Sequence, residues 1–455
     1  MCGDPLRSGK RYGMTIAENR AATEKLIAFI EKSPTAFHAV AAAAEMLEGC
    51  GFTRLKENER WTIAPGGLYF VTRNQSSIIA FAVPEREEDR GAFLIAASHT
   101  DSPTYKLKTE AEVEACARYV KLNVEGYGGM IAPSWMDRPL SLAGRAVVRT
   151  ADGIAARLVK VDRDLLLIPN VAIHQNRSVN NGYNYNPAVD LMPLFAEKEQ
   201  KGALKRILAG ELDCDEADIL GADLFLYNRT KGTVWGAADE FYSCPRIDNL
   251  QCAYTTLMGF LDAAKSGETR SVPVWAAFDN EETGSATKQG AGSRFLWDTL
   301  ERYGEAFGIR LPEALASSFM VSADNGHARH PNHPELSDGQ NAPHMNGGVV
   351  IKSNAAQKYT TDAVSAAVFG EICRRAGVPV QVFANRSDMA GGGTLGSISN
   401  TNVALCTVDI GLAQLAMHSS YETGGTADTG HMIAAMKAYY RARIRFDGDG
   451  ICALA

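Results

Sequence analysis

Apolar and polar positions along the chain fall into two textures. Between residues 20 and 48, Leu26, Ile27, Phe29 and Ile30 begin an apolar stripe at helical spacing. Ser33-Pro34 breaks it before a second, alanine-rich helix. Short unbroken apolar runs follow at 76–83 (SSIIAFAV), 91–97 (GAFLIAA), 272–278 (VPVWAAF), 317–323 (SSFMVSA), 378–384 (VPVQVFA) and 403–411 (VALCTVDIG). Each has the length of a strand buried on both faces. Helix-like stretches near 248–265, 293–303, 360–376 and 430–442 lie among them. This alternation predicts an α/β layer built on a mainly parallel sheet. The stretch 105–240 differs, with strand-like segments that turn at Gly128-Gly129 and Asp152-Gly153 and a polar, Asn-rich loop at 174–187. The expected organisation is an α/β domain formed by residues 1–104 and 241–455, interrupted by an inserted β-rich domain at 105–240.

Composition narrows the function classes. Apolar residues make up 45% and charged residues 22%, and the net charge is −7 over 455 residues. With no basic excess, neither nucleic acid nor an anionic membrane is an expected partner. No apolar run reaches the ~18–20 residues that span a bilayer. The first 20 residues, MCGDPLRSGKRYGMTIAENR, lack the apolar core of a signal peptide, so Cys2 is not expected to carry a lipid anchor. The nine cysteines, at 2, 50, 116, 214, 244, 252, 373, 406 and 452, are scattered, with no C-x-x-C. That usage fits a reducing compartment, and a cytoplasmic location is expected.

The chemistry sits where predicted strands end. The run 91–97 leads into Ser98-His99-Thr100-Asp101, and 272–278 into Asp279-Asn280-Glu281-Glu282. The run 317–323 leads into Asp324-Asn325-Gly326-His327, and 403–411 leads on to Met417-His418. Asp248 opens a helix in RIDNL. Strand carboxyl ends of an open α/β sheet face one crevice, so residues distant in sequence converge there. Any one of these acids could be a helix cap, but five such sites in succession are the inventory of a hydrolytic metal centre with nitrogen and oxygen ligands. Adjacent Glu281 and Glu282 let one carboxylate hold metal while its neighbour serves as general base. Asp101, two residues beyond His99, is placed to orient a ligand. The glycine-rich 391–396 lacks the lysine of a phosphate-binding P-loop and is not read as one.

Nine segments together resemble the M18 family of metallo-aminopeptidases. They are SPTAFHAV (33–40), SHTDSP (98–103), YGGMIAPSWMDRPLSLAGR (127–145), RIDNL (246–250), FDNEETGS (278–285), SADNGHARHPNHPE (322–335), NGGVVIKSNAAQKY (346–359), RSDMAGGGTLGSI (386–398) and VDIGLAQLAMHSSYE (408–422). The resemblance implies a catalytic domain of the dinuclear zinc exopeptidase type and makes the β-rich insertion a dimerisation domain. It implies that His99 and Asp324 bind one ion, Glu282 and His418 the other, and that Asp248 bridges them. Zinc is the expected metal, with cobalt or manganese also compatible. Glu281 becomes the general base and Asp101 the partner of the first site. His174 is expected to reach a neighbouring subunit's active site, completing the substrate pocket, within a homo-oligomer that is a dodecamer in the family.

The implied activity is removal of the N-terminal residue from peptides with free N-termini. Lys352 matches a lysine near the substrate in aspartyl aminopeptidases, so a preference for acidic Asp or Glu N-termini is expected. The alternatives are an aminopeptidase of the same family preferring neutral or basic residues and an amidohydrolase of N-acyl amino acids. Two departures bear on side-chain preference. Tyr421 stands where many members carry Arg, and SISNTNVAL (397–405) lacks the Gly-Ile-Arg often found before the VDIG strand.

Overall fold

All six apolar runs become strands of a single nine-stranded sheet. The computed structural model describes residues 10–11, 14–448 and 450–455. The N-terminal nine residues, on which the expectations about Cys2 and a signal peptide fall, lie outside the described residues. The sheet runs in the order Val380–Phe383, Val349–Lys352, Cys406–Gly411, Phe319–Ala323, Phe93–His99, Val272–Phe278, Ser77–Ala82, Leu68–Arg73 and Thr53–Leu55. Its four central strands, from Cys406–Gly411 to Val272–Phe278, are mutually parallel.

Helices cover both faces, which is why Phe93–His99 and Val272–Phe278 are buried at every position and read as continuous apolar runs. One face packs against Ala36–Glu48, Ile247–Ser266, Ala363–Arg375 and Thr426–Arg441. The other packs against Phe295–Phe307 and Leu311–Ala316. Ile16–Lys32, capped by Thr15 and Glu18, lays Leu26, Phe29 and Ile30 against Ile247, Leu250 and Tyr254.

The inserted segment folds as a six-stranded antiparallel sheet drawn from residues 104–228. Its order is Gly153–Lys160, Leu140–Thr150, Ile219–Asn228, Thr104–Ala115, Tyr119–Tyr127 and Leu194–Glu197. A core of its own, including Leu122, Leu142, Val148 and Leu224, is closed by the helix Ala203–Leu212. A third sheet was not foreshadowed by hydropathy. It joins Thr233–Trp235, Phe241–Cys244, Glu422–Gly425, Ala413–Leu415 and Gly326–His327. Residues 233–235, which fall within the expected insertion, thus pair with strands of the α/β part. Among the described residues no helix is long and apolar enough to cross a membrane. The described cysteines are all free thiols.

Candidate metal centre

Each strand end delivers one side chain to a common cleft. His99 closes Phe93–His99, and its Nδ1–H donates to the Asp101 carbonyl at 3.1 Å. That bond fixes the ring and leaves the Nε2 lone pair facing the cleft. Nε2 lies 3.4 Å from Asp248 Oδ1 and 3.5 Å from Asp324 Oδ1. Asp324 follows Phe319–Ala323 directly, its N–H held by the Ile410 carbonyl of the neighbouring strand.

Asp248 sits at the entry of Ile247–Ser266, where the Asp248–Asn249 peptide bond is cis. Its two carboxylate oxygens face different partners. Oδ1 meets His99, while Oδ2 lies 3.2 Å from His418 Nε2. Glu282 Oε2 stands 3.4 Å from the same His418 nitrogen. The ligand atoms of His99, Asp248 and Asp324 all lie within 4.8 Å of one another, as do those of Asp248, Glu282 and His418. A further grouping combines His99, Glu281 and Glu282. Glu281 projects beside His99, with Oε2 at 3.9 Å from Nε2.

Two observations favour a cation here. Asp248 Oδ1 and Glu282 Oε1 are buried with no hydrogen-bond partner, a costly condition for carboxylate oxygens. The donor set also gathers four carboxylates, Asp248, Glu281, Glu282 and Asp324, around two histidines, with Lys352 ion-paired to Asp324. Burial pushes Glu281 up to about 8, with Asp324, Asp101 and Asp248 adding to the effect against the pull of His99. Burial and Asp248 together hold Glu282 well above the usual carboxylate range. Asp248 goes the other way: burial opposes its charge, but His418 and His99 hold its carboxyl well below the ordinary value. The site fits divalent ions with nitrogen and oxygen ligands.

Around the ligands runs a layer of hydrogen bonds. Asp101 accepts from the Glu281 and Glu282 backbone N–H groups, each at 3.2 Å, and its Oδ1 lies 3.3 Å from His99 Nδ1. Glu422, buried, accepts from the Asp248 N–H at 3.0 Å and the His418 N–H at 2.8 Å. Burial and the nearby Asp248 push Glu422 up to about 8. Tyr127 and Asn280 also belong to this layer. Sequence reasoning missed Glu422, Tyr127 and Asn280; all three lay inside quoted segments, but nothing in their spacing marked them.

Lys352 and His174 lie outside these groupings. Lys352 is 1% exposed. Its ammonium donates to the Asp324 carbonyl at 2.7 Å and the Asn325 carbonyl at 3.3 Å, and lies 3.7 Å from Asp324 Oδ2. The ammonium is thus enclosed against Asp324 and Asn325. His174 is exposed in the loop after Ile168 and joins none of the ligand groupings of its own chain. His327, His330, His333 and His344 likewise contribute to no such grouping among the described residues.

Comparison with known proteins places the chain in a family. Residues 29–440 match the family described as aminopeptidase I zinc metalloprotease (M18). A probable M18 family aminopeptidase 2 of Clostridium acetobutylicum is 45% identical over 426 residues, covering 92% of this chain and 98% of that protein. Its namesake in Pseudomonas entomophila is 38% identical, covering 92% and 97%. Among solved structures, Ape4 in its complex with Nbr1 superimposes with a TM-score of 0.91 at 34% identity, covering 94% of this chain and 87% of that one. The mApe1 dodecamer of S. cerevisiae gives 0.82 at 27% identity, covering 93% and 97%. With a family match across most of its length and relatives at this identity, the chain belongs to the M18 family of aminopeptidases.

Proposed function

We propose that this aminopeptidase works through a dinuclear metal centre with Glu281 as general base. The observation that carries the reading is the division of Asp248, one oxygen toward His99 and Asp324 and the other toward His418 and Glu282. His99 and Asp324 would hold one ion, His418 and Glu282 the other, and Asp248 both. Zinc fits this donor set, as do manganese and cobalt. Such ions polarise a scissile carbonyl and lower the pKa of a water at the site.

The remaining work falls to the chain. Glu281 takes a proton from the attacking water at its carboxylate and delivers it to the leaving amine, a task that suits its place beside the grouping, with Oε2 3.9 Å from His99 Nε2. Asp101 holds the Glu281-Glu282 turn by its two backbone N–H groups, so base and ligand keep a fixed separation. The substrate's free α-amino group is drawn to the carboxylate-rich rim, which restricts cleavage to the first residue. An acidic preference needs a cation open to the substrate side chain, and the enclosure of Lys352 does not favour it.

A homo-oligomer of the dodecameric kind is part of the proposal. The loop carrying His174 exposes Val171 at 48%, Ile173 at 48% and Val189 at 66%, apolar side chains suited to a subunit contact through which His174 enters a neighbouring cleft. The test is a screen of aminoacyl-p-nitroanilides and N-acyl amino acids against metal-depleted protein, with and without zinc, manganese or cobalt. Metal-restored release of free N-terminal residues is expected. Turnover of N-acyl amino acids alone would overturn the aminopeptidase mechanism.

A further inference from the structure

A strap of the inserted domain crosses the metal centre. It leaves the end of Tyr119–Tyr127 and runs through residues 128–134 before the sheet resumes at Leu140. Several contacts tie it to the cleft. The Tyr127 hydroxyl donates to Asp101 Oδ2 at 2.7 Å and accepts from Asn280 Nδ2 at 2.8 Å. Gly128, at φ +74°, passes so close to Glu282 that a Cβ would stand 3.0 Å from the Glu282 Cβ. The Ile131 N–H donates to the His418 carbonyl at 3.0 Å. Farther on, Ser134 pairs with Ser420 through both its hydroxyl and its carbonyl.

These contacts touch both halves of the centre. Asp101 is the shared acceptor for the Glu281 and Glu282 N–H groups and flanks His99, so the Tyr127 phenol reaches one ligand, the base and a second ligand through a single carboxylate. Without that donor, the Asp101 carboxylate loses its shortest hydrogen bond, at 2.7 Å, and is held only by the two N–H groups at 3.2 Å and by His99. Burial and the carboxylates of Asp101 and Asp279 keep the phenol protonated, so it acts as a permanent donor.

We propose that Tyr127 is a positioning residue, through which the inserted domain sets the geometry of the metal ligands and of Glu281. The proposal deepens the dinuclear aminopeptidase reading and rests on it for its kinetic consequence. It applies to the metal-binding step independently, because the contacts are to side chains of the ligand layer.

Tyr127→Phe removes the hydroxyl alone. The ring keeps its edge-on contact with Phe225, at 5.5 Å between centroids, so the insertion's packing is retained. Outer contacts of this kind are worth ~10- to 100-fold in metal affinity or activity. Zinc affinity, measured by chelator competition on the full assembled chain, should fall by that factor in Tyr127→Phe. Turnover at saturating zinc should fall through kcat, with KM for aminoacyl substrates unchanged. Tyr127→Trp, which restores a donor on a larger ring, should not recover either value, whereas Phe225→Leu, which perturbs only the packing, should leave zinc affinity as in the wild type. Wild-type zinc affinity in Tyr127→Phe overturns the proposal, as does an equal loss in Phe225→Leu. If the wild type binds zinc but cleaves no aminoacyl substrate, the enzymatic reading fails while the affinity comparison still decides the role of Tyr127.

Discussion

Replacing Lys352 separates a residue that reads substrate from one that holds a ligand. Lys352→Met keeps most of the stem, whose Cδ would lie 3.7 Å from a Cβ built on Gly326, and removes the ammonium. At 3.7 Å from Asp324 Oδ2, the charge interaction is about 4 kcal/mol with an effective dielectric near 20. Relief of the buried ammonium's desolvation offsets part of this. Against that relief, the carbonyls of Asp324 and Asn325 lose a charged donor, at about 1–3 kcal/mol for each acceptor left buried and unsatisfied. A net loss of about 3 kcal/mol follows, in keeping with other buried pairs broken on one side. Asp324 then turns more freely, and zinc binding should weaken by ~10- to 100-fold. The assay is kcat/KM on Asp-, Leu- and Lys-p-nitroanilides, alongside zinc titration and thermal melting. The structure predicts a common fractional loss on all three substrates with weaker zinc binding. A loss confined to the acidic substrate at unchanged zinc affinity would refute the reasoning and restore Lys352 as selector.

Two pH predictions run in opposite directions. His38 is buried with Nδ1 2.9 Å from Thr35 Oγ1, and burial, aided by Lys160 and Arg246, holds it down to about 4. The unfolded chain takes that proton near pH 6.5, so this contribution is complete above pH 6.5 and is lost as pH falls toward 4, by about 3 kcal/mol. Urea melts of His38→Gln should show a correspondingly smaller loss between pH 7 and 4.5, and an identical loss would contradict the assignment. Metal removal reverses the slope. With Glu281 and Glu422 raised to about 8 and Asp279 to about 7, chiefly by burial, the chelated protein is favoured below the ordinary carboxylate range and loses stability as pH rises to 8. Added zinc should flatten that decline in thermal melts, and a chelated protein as stable at pH 8 as at pH 5 would speak against a carboxylate cluster awaiting cations.

The nine-stranded sheet was legible because its inner strands are buried on both faces, which turns them into unbroken apolar runs such as 272–278. The residues of the candidate site were legible for a related reason: polar residues that follow such runs stand at one edge of the sheet. Glu422 escaped notice because its role depends on the third sheet, whose strands of two to four residues are too short to show a period of two. Tyr127 was hidden for another reason. It ends a strand of the insertion, and only the meeting of two domains brings its hydroxyl to Asp101. The helix Ala203–Leu212 was masked by its β-rich surroundings. The enclosure of Lys352 was not legible either, since a place in sequence order says nothing of which way an ammonium points.

In the proposed mechanism His99, Asp248, Glu282, Asp324 and His418 bind two ions while Glu281 moves the proton. The most direct measurement compares metal content and turnover in wild-type and Glu281→Gln protein. Two zinc ions per chain are expected in both proteins, with aminoacyl turnover in the wild type and a loss of at least about 100-fold in the variant, the range expected for a missing general base. Full activity in Glu281→Gln, or a single ion per chain at saturating zinc, would contradict it.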